Sequence, residues 1–473
     1  MTPTGARSLL RFSGLLVLMV VPMAARAELG DYSTLQVVRN LLVPPGPDNP
    51  VSDGEQTGPF PLLANPPGFD DGFDPARYYE WQTIQLHPGT DSVCGNGSPY
   101  KFFVNRTPET RNTIIYLEGG GACWDGPSCR GETGIRGARN PDGIPDDYMS
   151  LLNPGASAVS PYVFRAHPYS RVKTQDWNMV YVPYCTGDIY VGDTVQVYAD
   201  PAGVEPPLIW HHNGARNVLA VLAWLKDNLP RPTQMLTAGC SAGSIGALAG
   251  YELIRGHMAP TRGYLIDDSG PAFSAPQGGD PADHPSIPLH QQIREAWGLD
   301  GAHAPIQYLK TRLPKLNTTD LGSMYRALAD KYPNDRMGQT HFWEDLNYSS
   351  YSYERFYDEI ENAPSQETKE LLIHERWYLD TENLMEALEA LPNFGYYLPR
   401  YRALNESHCT TIVDFENGDI QEDGLELSDF IDDVLEGSGP VMQASEEDRV
   451  SDFQKPPNPL YIAIDELLQS GGI

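Results

Sequence analysis

The sequence predicts an α/β protein, with a mostly parallel sheet covered by helices on both faces. Three observations carry this. Short apolar runs recur over 112–117, 179–182, 234–237 and 263–268, the first of them β-branched, in the way of strands buried on both faces. A helical stretch over 211–229 separates the second run from the third. Val218, Leu219, Val221, Leu222 and Leu225 give it a mostly apolar face, and Pro230 stops it. The third run enters a second helical stretch, 245–254, through the small-residue segment Gly239-Cys240-Ser241-Ala242-Gly243. Strands alternating with helices pair in parallel.

In chain order, residues 1–27 read as a secretory signal. Arg7 and Arg11 precede a short apolar run over 12–21, and Ala25-Arg26-Ala27 is a small-residue cleavage site. Residues 28–78 are rich in Pro, Gly and Asp and form an irregular segment laid over the domain. A catalytic domain is expected over 79–413. Its first strand signal is at 100–104, and the strand at 112–117 runs into Glu118-Gly119-Gly120-Gly121. Residues 274–316 are Pro-rich, with a helical piece at 291–297, and read as an inserted lid or substrate wall. A further strand over 337–343 ends in Glu344-Asp345, and helices follow at 367–377 and 381–391. The extension 414–473 is acidic at first, but Leu427, Phe430, Ile431, Val434 and Leu435 form a helical apolar stripe that docks on the domain.

Composition narrows the partners. With 63 acidic and 33 basic residues, the formal charge of −30 argues against nucleic acid and anionic membrane surfaces. After the signal, no stretch is long and apolar enough for stable membrane insertion. Neither a D-x-[DN]-x-[DN]-G calcium loop nor a C-x-x-C pair occurs, so no metal is expected. The six cysteines, Cys94, Cys123, Cys129, Cys185, Cys240 and Cys409, are an even number in a chain read as exported, which favours disulfides.

Gly239-Cys240-Ser241-Ala242-Gly243 is a G-x-S-x-G pattern between a strand and a helix, as in the nucleophile elbow of α/β-hydrolases. A serine hydroxyl needs a base to take its proton, an acid to orient that base, and donors for the developing oxyanion. The donors are expected from the amides of Ala242 and of Gly120 or Gly121, because glycine lets the backbone approach a substrate oxygen. The glycine run lacks the spacing and the lysine of a phosphate-binding loop. Among eleven histidines, His408 stands out because Cys409 follows it as Cys240 precedes Ser241. A Cys240–Cys409 bridge would tie the histidine loop to the elbow and close a loop of about 170 residues. Asp345 is the best-placed acid. Asp267 and Asp268 lie one strand too early, and Asp358, Asp320 and Glu344 are alternatives. Trp124, Tyr184 and Tyr190 read equally as sugar-stacking walls or as core.

Taken jointly, Leu117-Glu118-Gly119-Gly120-Gly121-Ala122-Cys123-Trp124, Val182-Pro183-Tyr184-Cys185-Thr186-Gly187-Asp188, Gly239-Cys240-Ser241-Ala242-Gly243 and His408-Cys409 resemble the pectin acetylesterase family, which includes the Notum lipid deacylases. The resemblance implies an α/β-hydrolase fold without metal or organic cofactor. It places Ser241 as nucleophile, His408 as base, and Gly120, Gly121 and Ala242 as oxyanion donors. It implies Cys94–Cys185 and Cys123–Cys129 bridges, which leaves Cys240 for Cys409. The match is poor around the acid, so Asp345 rests on alignment there. The expectation is a secreted serine carboxylesterase acting on O-acetyl esters of a polysaccharide such as pectin. The alternatives are a lipid or protein-linked acyl esterase and a non-catalytic carbohydrate-binding protein on the same fold.

Overall fold

The computed structural model describes residues 54–55, 62–133, 137–149, 160–166, 172–200, 203–204, 206–301, 304–402, 404–422 and 424–447. The expected signal at 1–27, most of the segment 28–61 and residues 448–473 lie outside these.

Nine strands form the central sheet: β2 (Trp81–Gln85), β3 (Lys101–Asn105), β4 (Thr113–Leu117), β5 (Asn178–Val182), β8 (Gln234–Cys240), β9 (Arg262–Asp268), β10 (Arg336–Thr340), β11 (Phe394–Leu398) and β12 (Gln443–Ser445). Their order is β12-β11-β10-β9-β8-β4-β5-β3-β2. The seven strands from β12 to β5 are parallel, and β3 and β2 close one edge antiparallel. Every residue of β3, β4, β5 and β11 is buried, which explains their continuous apolar runs. This is the α/β-hydrolase-like arrangement the sequence predicts.

A second sheet, β1 (Gly54–Glu55), β6 (Thr194–Tyr198) and β7 (Leu208–His212), is antiparallel. It corrects the helix expected over 211–229. His211 and His212 belong to β7, where inward and outward faces differ, and the helix α2 spans Gly214–Asn228. The other helices are α1 (Gly126–Cys129), α3 (Ala242–Met258), α4 (Ile287–Ala296), α5 (Pro305–Arg312), α6 (Met324–Lys331), α7 (Leu346–Tyr353), α8 (Asp358–Glu361), α9 (Gln366–Glu389) and α10 (Leu427–Glu436). The two helices expected at 367–377 and 381–391 are therefore one. In the stretch 274–316 the helical piece expected at 291–297 falls in α4, which starts earlier, and α5 is a second helix there.

The sheet continues beyond residue 413. β12 pairs in parallel with β11, and α10 lays Phe430 and Val434 against Gly338 of β10. A Cβ at Gly338 would lie 2.5 Å from the Phe430 ring, so a side chain there would have to push that ring aside.

Strand register sets up the site. Leu117 of β4 pairs with Gly239 of β8, and Cys240 pairs with Asp268 of β9. The glycine loop, Ser241 and Asp268 thus leave the carboxyl ends of three adjacent strands, where parallel sheets collect their ligands.

Candidate active site

Ser241 stands between β8 and α3 with φ 57° and ψ −127°, a backbone conformation costly for any side chain but glycine. The reversal needs room around it. A Cβ on Gly239 would lie 2.4 Å from the Gly243 carbonyl oxygen. One on Gly243 would lie 2.1 Å from the Leu117 oxygen, and one on Gly119 2.5 Å from the Cys240 oxygen. These three glycines let the elbow and the glycine loop pack backbone against backbone. Ser244 and Ile245 donate their amides to the Ser241 oxygen and anchor the first turn of α3. Ala242 is the first residue of that helix, so its amide has no acceptor in a preceding turn.

Gly120 and Gly121 have φ 147° and 73°, and both are partly exposed, as is Ser241. The Gly120 carbonyl is engaged by the Arg139 amide at 2.9 Å. The loop is held from below by Glu118, whose buried carboxylate accepts from the Tyr184 amide at 2.9 Å, from Asn140 at 3.3 Å and from Tyr148. Burial raises the Glu118 pKa, and Arg139, 3.8 Å away, opposes this. Tyr190 donates its hydroxyl to the Glu118 and Val182 carbonyls. Glu118 was quoted in the sequence only as part of the glycine loop; its clamping role had no signal there.

His408 is buried, with its ring stacked on Tyr348 at 6.4 Å between centroids. Its Nδ1 lies 2.8 Å from Asp345 Oδ2. Asp345 is fully buried and caps α7, accepting the Tyr348 amide on Oδ1 at 2.9 Å. It is not at a strand end: β10 stops at Thr340, and the chain turns through Phe342 before reaching it. Burial raises the Asp345 pKa, with His408 as the main opposing influence. The alternative acids are elsewhere. Asp358 is exposed, Asp320 caps a 3₁₀ turn, and Glu344 pairs with Arg400.

Cys240 is bonded to Cys409, Cys94 to Cys185 and Cys123 to Cys129. The sulfurs of Cys240 and Cys409 and a ring nitrogen of His408 all lie within 4.8 Å of one another, so the bridge sets the imidazole beside the elbow. This group, like Cys123, Cys129 and His212, has its sulfurs in disulfides and offers no thiolate to a metal.

Asp268, set aside as an acid in the sequence, holds the histidine loop. Its carboxylate accepts from Thr410 N (2.7 Å) and Oγ1 (3.0 Å) and from Thr411 N (2.8 Å) and Oγ1 (2.6 Å). Ser269 Oγ accepts the Cys409 amide at 3.0 Å. The loop needs this support, since Asn405, Glu406, Ser407 and Cys409 all have φ between 49° and 63°. The paired threonines after Cys409 were the overlooked signal.

Of the proposed aromatic walls, Tyr184 and Tyr190 are core. Trp124 is 8% exposed and packs edge-on against Tyr351.

A serine on a strained strand-to-helix reversal, beside a glycine loop and a buried His–Asp pair, has the layout of a serine α/β-hydrolase. The comparisons narrow the class. Residues 76–277 match the family model described as pectinacetylesterase. The Drosophila melanogaster palmitoleoyl-protein carboxylesterase NOTUM is 24% identical over 221 residues, 44% of this chain and 30% of that protein. Pectin acetylesterase 7 of Arabidopsis thaliana is 25% identical over 191 residues, 40% of this chain and 44% of that protein. The chain thus spans less than half the length of each of these relatives. The crystal structure of the Wnt deacylase Notum from Drosophila aligns with TM-score 0.41 and 20% identity, covering 66% of this chain and 81% of that one.

Proposed function

We propose that this protein is an exported serine carboxylesterase that removes O-acetyl groups from a polysaccharide such as pectin. The observation that carries the reading is the 2.8 Å contact between His408 and Asp345 beside the elbow at Ser241. Ser241 attacks the ester carbonyl while His408 takes its proton. The tetrahedral oxyanion is held by the amides of Ala242 and of Gly120 or Gly121. Collapse expels the alcohol, protonated by His408, and leaves an acetyl-enzyme. His408 then activates water, which releases acetate and restores Ser241. Asp345 keeps Nδ1 protonated and steadies the imidazolium. Three disulfides support export, and no helix among the described residues is long and apolar enough to cross a membrane.

One observation favours a second reading, a lipid or long-chain acyl esterase. An apolar cleft enclosing about 670 Å³, its open mouth included, runs along α3 from Ile245 to Leu253, faced by Ile306 and Leu309 of α5. It begins one helical turn after Ser241, but its lining includes none of Ser241, His408, Gly120 and Gly121. The acetyl reading therefore stands first. A series of p-nitrophenyl esters from acetate to palmitate, run beside acetate release from acetylated pectin and neutral acetylated glycans, separates the two. Highest kcat/KM on acetate with release from a glycan supports the proposal. A rise toward palmitate overturns it in favour of the second reading.

A further inference from the structure

Beneath the elbow, outside the machinery described above, lies a chain of buried polar groups. Ser244 in the first turn of α3 donates to Asp267 Oδ1, and Asp267 Oδ2 lies 3.2 Å from the Tyr325 hydroxyl. That hydroxyl also contacts Gln339 Oε1 at 2.9 Å and accepts the Ala272 amide at 3.1 Å. Gln339 Nε2 donates to the Thr340 carbonyl at 3.3 Å and faces His341 Nδ1 at 3.2 Å, while His341 Nε2 faces Thr381 Oγ1 at 3.2 Å. Ser244, Asp267, Tyr325, Gln339, His341 and Thr381 are all buried, none above 1% exposed.

One arrangement gives every contact along this chain a proton of its own. Thr340 offers only a carbonyl, so the Gln339 nitrogen must face it and the Gln339 oxygen must face Tyr325. Tyr325 has a single hydroxyl proton, and Gln339 needs it. Asp267 Oδ2 and the Tyr325 oxygen then touch with no proton left between them, unless Asp267 supplies one.

We infer that Asp267 is a neutral carboxylic acid that positions the nucleophile helix, with its own proton on Tyr325 and its carbonyl oxygen under Ser244. Beside it, Asp268 accepts four donors from Thr410 and Thr411, so the two adjacent aspartates hold the elbow and the histidine loop by opposite chemistry. The groups facing Asp267 are Ser244 from α3, Tyr325 from α6, Tyr348 from α7, Gln339 of β10 with His341 just past that strand behind it, and Asp268 on its own strand. No cation is among them. Burial, with Asp268 adding to it, pushes the Asp267 pKa up to about 8, and burial keeps His341 neutral at about 3. Ionising Asp267 would put an unpaired charge behind the first turn of α3. The consequence for turnover rests on the Ser241 reading; the protonation state does not.

The test is Asp267→Asn, because an amide reproduces the donor and the acceptor of a neutral acid. Urea midpoints of wild type and variant are measured from pH 5 to 9. The folded pKa lies above the unfolded value of about 3.9, so the wild type loses stability as pH rises toward 8 while the variant does not. The wild-type midpoint should fall relative to Asp267→Asn up to about pH 8 and level off above it. A constant gap, a gap that grows in favour of wild type, or a variant that does not fold overturns the assignment. The kcat on p-nitrophenyl acetate gives the positioning readout. Wild type should lose turnover on an alkaline limb near pH 8 that is absent in the variant; the same limb in both overturns the positioning role. If wild type shows no turnover at all, the esterase reading fails, while the urea comparison still decides Asp267.

Discussion

His408 Nδ1 and Asp345 Oδ2 meet at 2.8 Å, although 63 residues separate them in sequence. Each is fixed independently of the other. Asp345 is held by capping α7, and His408 by a loop bonded to Cys240, Asp268 and Ser269. The imidazole is thereby held with Nδ1 on the acid, the orientation that the proposed proton transfer at Nε2 needs.

Asp345→Asn should keep the fold, since an amide still caps α7, but it should present the wrong tautomer of His408 to Ser241. The expected loss in kcat is about 10⁴-fold, as when the acid of a serine triad is amidated. The check is kcat with thermal unfolding alongside. Near-normal turnover with an unchanged melting temperature would remove Asp345 from the mechanism.

Opening the Cys240–Cys409 bridge with the double variant Cys240→Ser, Cys409→Ser should release the histidine loop. The bridge closes 169 residues, and a loop of that size contributes about 5 kcal/mol in the entropic model. Stability by urea unfolding should fall by several kcal/mol, and turnover should fall further than the unfolded fraction accounts for.

Asp268→Asn should act through the same loop. Of its two carboxylate oxygens, one becomes an amide facing N–H donors, leaving donors of Thr410 or Thr411 unsatisfied. The expected cost is about 1.5–3 kcal/mol, the range for hydrogen bonds to a charged group. The loss in kcat should exceed any change in KM, because the loop carries His408 and not the substrate.

Gly243→Ala tests the close approach of elbow and glycine loop. Its Cβ would sit 2.1 Å from the Leu117 carbonyl oxygen, and backbone cannot move aside cheaply. Destabilisation beyond about 4 kcal/mol, or failure to fold, is expected. A stable, active variant would mean the approach is looser than described.

The central strands and the elbow were legible because burial on both faces leaves short apolar runs, and because a strained reversal leaves glycines. His408 was legible through chemistry of a different kind, the cysteine beside it. Asp345 reads in the sequence as the end of a strand; in the structure it is a helix cap reached after an intervening turn, with His408 against it. The last two residues of β7, His211 and His212, read as helix because they adjoin a long apolar helical run, and only strand pairing separates them from it. The clamps at Glu118 and Asp268, and the proton on Asp267, depend on contacts between segments far apart in sequence. No local pattern records these.

Hydrolysis of p-nitrophenyl acetate by wild type and by Ser241→Ala, with mass spectrometry of both after a fluorophosphonate, tests the central claim most directly. The account predicts turnover and a single adduct on the peptide carrying Ser241 in wild type, and neither in the variant. Equal rates in both proteins, or an adduct on another serine, would contradict it.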